Sequence, residues 1–430
     1  MDRPDLSLLM TRILHAGYLF ECAGMKIAID PIFENPFSTN CQAFPDVRFD
    51  RDQIRRLSLE AVFISHFHDD HCSLDSLAFL DRRTPIHIFC IFEELHDMVR
   101  ALGFTSVHAL ALDVPVAVGP FTVTPRRALD EDVDSILQIE AAGLRILDVV
   151  DAWIDPAMLR QLATQAPWDM VLWPFQTMRE LEVLAPAQAS PAPDGLPPEW
   201  QEQLIALAPR YVVPSSCQFQ MEPWSWYNRA FFPISYAQFE REVGAFLPAS
   251  KIVRLDPSAT VRLDARSLDP APPPSWIQPV GPRDVDYAYD PVLVPPSTAE
   301  VARHFPALNP DETRLVLDYC RGGLLERYRS LGGASKTAWK LSLFDHTGAV
   351  TNFHYAIDGD AIELTGVRDV RWRTEVPLAK LHGALVRGEA LTSMYMRVDA
   401  GDEDVLEDPL IRCLFEGVFG AYQRAQLARY

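Results

Sequence analysis

The sequence predicts an α/β fold in its larger first part, followed by a smaller α+β domain. Three observations predict this. Short apolar runs of strand length recur from residue 8 to 214, with an amphipathic helical pattern at 92–102 among them. One of them, 61–64, opens into Ser65-His66-Phe67-His68-Asp69-Asp70-His71 and then a helical run, 74–80, which reads as buried strand, tight loop and helix. A proline-rich stretch, 270–298, then separates this part from a region of different texture, 299–430.

Residues 8–14, 18–22 and 26–29 read as short strands split by Gly17 and Gly24, an opening β-meander. His15 ends the first strand and Asp30-Pro31 the third. His15 has two readings, a hydrogen-bonded turn residue or a contact at the rim of a metal pocket. A long polar and aromatic connection, 35–56, leads to the His/Asp loop. Beyond it come a strand at 84–90, a helix at 92–102 and strands at 107–112 and 116–118. His87, His96 and His108 read as ordinary members of these elements. A strand at 121–124 runs into Arg126, Arg127 and the acidic run Asp130-Glu131-Asp132-Val133-Asp134. The two arginines are either a surface pair or a contact for an anionic group. Residues 136–140 and 144–150 form a hairpin that leaves Asp151 at the carboxyl end of a buried strand, where a carboxylate needs a partner.

A strand at 168–174, an exposed Pro/Ala-rich excursion at 184–198 and a strand at 211–214 ending at Ser215-Ser216-Cys217 complete this part. The aromatics that follow read as core, with pocket lining as the alternative for Trp224, Trp226 and Tyr227. The division is therefore 1–269, a stiff linker at 270–298, and 299–430. The last part reads as a helix at 311–331, strands at 339–344, 350–357 and 361–364, a helix at 377–387, a strand at 391–398 and a helix from 406 to about 427. Its His304, His346, His354 and His382 are isolated and read as structural or surface residues.

Composition narrows the function. The net charge of −20 disfavours nucleic-acid partners, which bind basic patches. The seven cysteines are scattered, with no Cys-x-x-Cys or Cys-x-His pair, so neither a zinc knuckle nor an iron–sulfur cluster is expected. Scattered thiols suit a reducing compartment. With no basic-then-apolar leader and no apolar run of membrane-spanning length, a cytoplasmic protein without a membrane partner is expected.

Three imidazoles and two carboxylates within six residues call for a cation. His66 and His68, two apart at a strand end, point the same way, and Asp70 and His71 lie close enough to serve a second ion. Two ions about 3.5–4 Å apart need a bridging ligand, and a carboxylate suits that role. Asp151 is the candidate, and one carboxylate of the 130–134 run is expected to face the metal.

The His-x-His-x-Asp-His pattern resembles the metallo-β-lactamase superfamily. Ile64 to His71, Asp132-Val133-Asp134-Ser135 with Ile146 to Asp151, and Ala208-Pro209-Arg210-Tyr211 running into Pro214 and Phe219 are most similar to the metallo-β-lactamase-like domain of CMP-N-acetylneuraminate hydroxylase. Ascorbate-6-phosphate lactonase-like hydrolases are more distantly similar. The resemblance implies an αββα sandwich over about 8–269. It also implies His66 and His68 on one metal, Asp70 and His71 on a second, and Asp151 bridging. Where the superfamily usually has a further His, the matching residue here is Asp130, and where a late His is usual the strand ends at Ser215-Ser216-Cys217. The hydroxylase's Rieske segment has no counterpart.

The expected activity is a metal-dependent hydrolase. A water activated by one or two ions of zinc, iron or manganese would attack a small-molecule ester, lactone or phosphoester, with Asp70 and His15 as catalytic candidates. The alternative is a non-haem iron oxygenase served by a separate reductase, because oxygen-rich donor sets favour iron or manganese over zinc. A third class is a degenerate binding protein. The second domain, loosely similar to sterol-carrier-like modules, is a candidate for substrate capping, partner binding or homodimerisation.

Overall fold

The computed structural model describes residues 7–332, 336–366, 370–400, 405–406, 408–415 and 420–430. Two large sheets form the first part. One runs in the order Leu268–Ala271, Thr260–Leu263, Leu8–Arg12, Tyr18–Cys22, Met25–Ile29, Ala61–Ile64, Ile86–Ile88 and Val107–Ala109. The meander strands are antiparallel, and pairing turns parallel from Met25–Ile29 onward. The other runs Lys251–Ile252, Tyr211–Pro214, Met170–Trp173, Leu144–Asp148, Ser135–Ala141, Phe121–Arg127 and Val116–Val118, parallel in its first four strands.

Alternation along the strands builds the layers. Tyr18, Phe20, Ile27, Ile29 and Phe63 of the first sheet share one core with Leu137, Ile139, Ile146, Leu172 and Val213 of the second. The residues between them, such as Leu19, Ala28, Val62, Leu147, Val171 and Val212, join a separate core with the flanking helices. Glu93–Ala101 packs beside Val107–Ala109, and Tyr236–Phe246 packs beside Lys251–Ile252. This is the expected αββα sandwich. Ala61–Ile64, Met170–Trp173 and Tyr211–Pro214 are buried on both faces, so they read as continuous apolar runs. In sheets of this kind, ligands sit outside the carboxyl ends of the parallel strands. Here those ends carry His66, Asp151 and Ser215.

The second part holds a five-stranded sheet in the order Ala361–Leu364, Val350–Asp358, Lys336–Phe344, Trp372–Pro377 and Arg397–Asp399. The helix expected at 311–331 runs from Pro310 to Ser330 with a π-helical turn, Tyr319–Gly323, between Pro310–Asp318 and Leu324–Ser330. Gly323 allows that turn: a Cβ there would lie 2.8 Å from the Tyr319 ring. The strand expected at 391–398 is a 3₁₀ turn, Leu391–Met394, then Tyr395 at φ +52° and only Arg397–Asp399 in the sheet. A left-handed residue cannot continue a strand. The final helix is described as Pro409–Arg412 and Ala421–Leu427, with 407 and 416–419 outside the described residues.

The proline-rich stretch 270–298 lies along the first part. Leu268–Ala271 pairs with Thr260–Leu263, and Ile277–Pro279 pairs with Val47–Phe49. The Tyr287 hydroxyl donates to the Phe219 carbonyl at 2.8 Å. Aromatics join the two parts: Trp224 stacks on His304 at 4.1 Å, and Trp224, Trp226 and Tyr227 surround Tyr395. Trp226 and Tyr227 are buried in that junction as core. Among the described residues no helix is long and apolar enough to cross a membrane.

Candidate metal centre

The strand Ala61–Ile64 delivers Ser65 and His66 to the edge of the sandwich, and the loop turns back through His71-N–H and Cys72-N–H bonds to the His68 carbonyl. Ser73 then caps the helix Leu74–Leu77 by accepting from the Ser76 N–H. Asp30, at the end of Met25–Ile29, holds the loop's near side. Its Oδ1 accepts from the Ser65 N–H at 2.7 Å, and its Oδ2 accepts from the Ser65 hydroxyl at 2.5 Å and from His71 Nδ1–H at 3.0 Å. His66 Nδ1 in turn lies 3.0 Å from the Ser65 hydroxyl oxygen and donates to it. With Nδ1 committed as donor, each ring in its neutral form presents an Nε2 lone pair, the tautomer a metal ligand needs.

Two donor groups result. One holds His66, His68 and Asp134, and the other His15, Asp70, His71 and Asp151. His66 Nε2 is 3.0 Å from His68 Nδ1 and 3.8 Å from Asp134 Oδ1. Asp151 spans the groups, with Oδ2 3.1 Å from His71 Nε2 and Oδ1 3.8 Å from His66 Nε2. Its Oδ1 is buried and has no hydrogen-bond partner among the described residues. A buried carboxylate oxygen left without a donor, amid converging imidazole lone pairs, fits a cation.

The electrostatics agree. Burial opposes charge on His71, but Asp151 and Asp70 outweigh it and raise its pKa well above the ordinary imidazole value. Burial, with His71 beside it, pushes His66 well below. Burial also works against the Asp151 and Asp70 carboxylates, yet His71, with His66 or His15, holds both pKa values low. Asp134 is pushed up to about 7 by burial and by Asp151. Asp134 thus receives too little of the positive charge that His71 lends the other two carboxylates, and a dication would supply it.

His15 lies within the site and not at its rim. It is 1% exposed, with Nε2 3.1 Å from Asp70 Oδ2 and 3.0 Å from His71 Nε2. Its Nδ1 accepts the Cys217 N–H at 3.2 Å, so the neutral ring carries its proton on Nε2 and donates to Asp70. The Arg12 guanidinium fixes this corner by donating to the carbonyls of His15, Ser215 and Pro214. Ser215-Ser216-Cys217, where a late imidazole was expected, meets the centre through that backbone N–H.

Asp130 requires a correction. It is exposed, at the tip of a turn whose carbonyl accepts from the Val133 and Asp134 N–H groups, and Asp134 stands beside His66 in its place. The cause is local: the turn closes on Asp130, and the buried Ser135 draws the residue before it inward by donating to the Ser65 carbonyl at 2.7 Å. Asp134→Ala should therefore lose about one ion per chain, while Asp130→Ala keeps the wild-type content, both read by elemental analysis. Arg126 pairs with Asp113 and Arg127 with Glu131. Asp30 went unrecognised in the sequence, although it carries the same signal as Asp151, an acid at the end of a buried strand.

The reactive side is defined by exposure. His15, His66 and His71 are sealed, whereas His68 is exposed and Asp70, Asp134 and Asp151 are about one-fifth exposed. A substrate would approach across these four.

No family model matches the chain, and no curated protein matches it. Among solved structures it is similar to Igni18, a metallo hydrolase from Ignicoccus hospitalis, at 19% identity, covering 60% of this chain and 100% of that one, with a TM-score of 0.42. It is also similar to CmlA, a diiron β-hydroxylase from Streptomyces venezuelae, at 16% identity, covering 61% of this chain and 55% of that one, TM-score 0.42. A third is the isothiocyanate hydrolase from Delia radicum gut bacteria, at 15% identity, covering 60% and 100%, TM-score 0.44.

Proposed function

We propose that the chain is a metal-dependent hydrolase of the metallo-β-lactamase superfamily, acting on a small-molecule ester, lactone or phosphoester at a two-ion centre. The observation that carries this is Asp151, whose two oxygens face the two donor groups. Divalent ions held there would lower the pKa of a coordinated water and polarise a substrate oxygen. The chain's own residues do the rest. His66, His68 and Asp134 would hold one ion and His71 and Asp70 the other, with Asp151 facing both groups. Asp70, kept ionised and part-exposed, is placed to take a proton at its free oxygen. His15 Nε2–H, donating to Asp70 Oδ2, keeps that carboxylate turned towards the opening, so that Asp70 can return the proton it has taken to the leaving group.

One feature of the donor set favours a second reading. With Asp134 where a third imidazole was expected, three carboxylates face the ions, and such sets suit iron or manganese better than zinc. On that reading the chain is a non-haem iron oxygenase fed by a separate electron donor. Metal analysis of the purified protein, with turnover of an ester, lactone and phosphoester panel before and after chelation, separates the two. Hydrolysis that is lost on chelation and restored by zinc or manganese supports the hydrolase. An iron-loaded protein that consumes oxygen on reduction and hydrolyses nothing overturns it.

A further inference from the structure

The second part of the chain reaches back onto the metal loop. Gln423 Nε2, on the helix Ala421–Leu427, donates to the carbonyls of Phe67 and Cys72, each at 2.9 Å. These two carbonyls lie on either side of His68, Asp70 and His71, one directly after His66 and the other directly after His71. A carboxamide nitrogen has two N–H donors, and here both are used to tie the ends of one loop together. One turn further, Gln426 Oε1 accepts the Leu74 N–H at 2.7 Å and its Nε2 donates to the Ser73 hydroxyl oxygen at 2.9 Å. Leu74 N–H is among the donors that the first turn of a helix leaves without an internal partner. Both glutamines are buried, at 2% and 0% exposure.

The helix is held in this position from both sides. Arg429 and the Tyr430 hydroxyl pair with Asp75 on the helix that follows the loop, and Arg424 pairs with Glu94 at 2.8 Å on the next. Gly388, at φ +63°, lets the helix cross close behind Leu378–Arg387: a Cβ there would lie 2.5 Å from the backbone of Ala421 and Tyr422. Besides its own bonds to the His68 carbonyl, the loop is held from outside by Asp30, by the Ser38 hydroxyl on Asp69 and by this helix.

We propose that the Ala421–Leu427 helix is a clamp on the metal loop, with Gln423 and Gln426 as positioning residues for His66, His68, Asp70 and His71. This rests on the metal-centre reading, and it gives the second domain a task in the site, that of fixing ligand geometry. The test compares full-length wild type with Gln423→Leu, using Co²⁺ or Zn²⁺ titration well below the melting temperature and amide hydrogen exchange across 66–74. Weakened ion affinity of about tenfold or more, as is typical when a partner behind a ligand is lost, together with faster exchange confined to that loop, is expected. A lowered melting temperature with unchanged affinity and unchanged loop exchange overturns the clamp. If wild type binds no ion, the metal reading itself fails, and loop exchange alone still decides the clamp. Should Gln423→Leu not fold, Gln426→Leu, which leaves the Gln423 bridge in place, carries the same comparison.

Discussion

Asp151→Ala is expected to empty both metal positions. The carboxylate is the only described group that faces His71 and His66 at once, through separate oxygens. Its removal leaves neither donor group with the anion that holds the second ion close to the first. Affinity should fall by roughly a hundredfold or more, beyond the loss typical of groups behind the ligands. Hydrolytic kcat/KM should fall by about 10³-fold or more, equivalent to about 4 kcal/mol of barrier. Asp151→Asn keeps the volume and separates charge from packing: it should lose metal like the alanine variant while folding like wild type. Elemental analysis and titration calorimetry read both. An Asp151→Ala protein that retained two ions would refute the bridging role.

Asp30→Asn should be nearly as damaging, although Asp30 touches no ion. A carboxylate accepts on both sides, from the Ser65 N–H on one and from the Ser65 hydroxyl and His71 Nδ1–H on the other. An amide cannot do this. If its oxygen faces the Ser65 N–H, its NH₂ faces His71 Nδ1, which must then accept, and the His71 proton moves to Nε2 where the ion should bind. If it is flipped, two buried N–H donors oppose each other, at about 1–3 kcal/mol. Metal affinity should drop by roughly 10–100-fold. The imidazole tautomer of His71, read by ¹⁵N NMR, distinguishes this cause from loss of packing. Unchanged affinity with an unchanged tautomer would contradict it.

The parts of this centre that were legible in the sequence are those whose geometry is local. His66 to His71 follow one strand within six residues, so strand direction and turn alone bring them together. Asp151 was visible because an acid at the end of a buried strand needs a partner, and Asp30 was open to the same logic. Asp130 and Asp134 differ only in where a turn closes, which depends on Ser135 being drawn towards the Ser65 carbonyl 70 residues away. His15 could not be assigned from its neighbours, because its tautomer is set by Cys217, 202 residues on. The contacts of Gln423 with the loop lie more than 350 residues apart in sequence and carry no local pattern at all. For the fold, the buried apolar runs foretold strands interleaved with helices, and the sandwich itself was implied by the resemblance carried on the His/Asp loop. The failed strand at 391–398 marks where tertiary packing won, since Tyr395 turns left-handed to sit among Trp224, Trp226 and Tyr227.

The most direct test is anomalous diffraction from crystals of the purified chain. Two peaks about 3.5–4 Å apart are expected, one against His66, His68 and Asp134, the other against His71 and Asp70, with Asp151 between them. Two such peaks would also identify the metal from their absorption edge. Crystals with no anomalous scatterer at these side chains, or a single ion that leaves Asp151 uncoordinated, would contradict the two-ion centre.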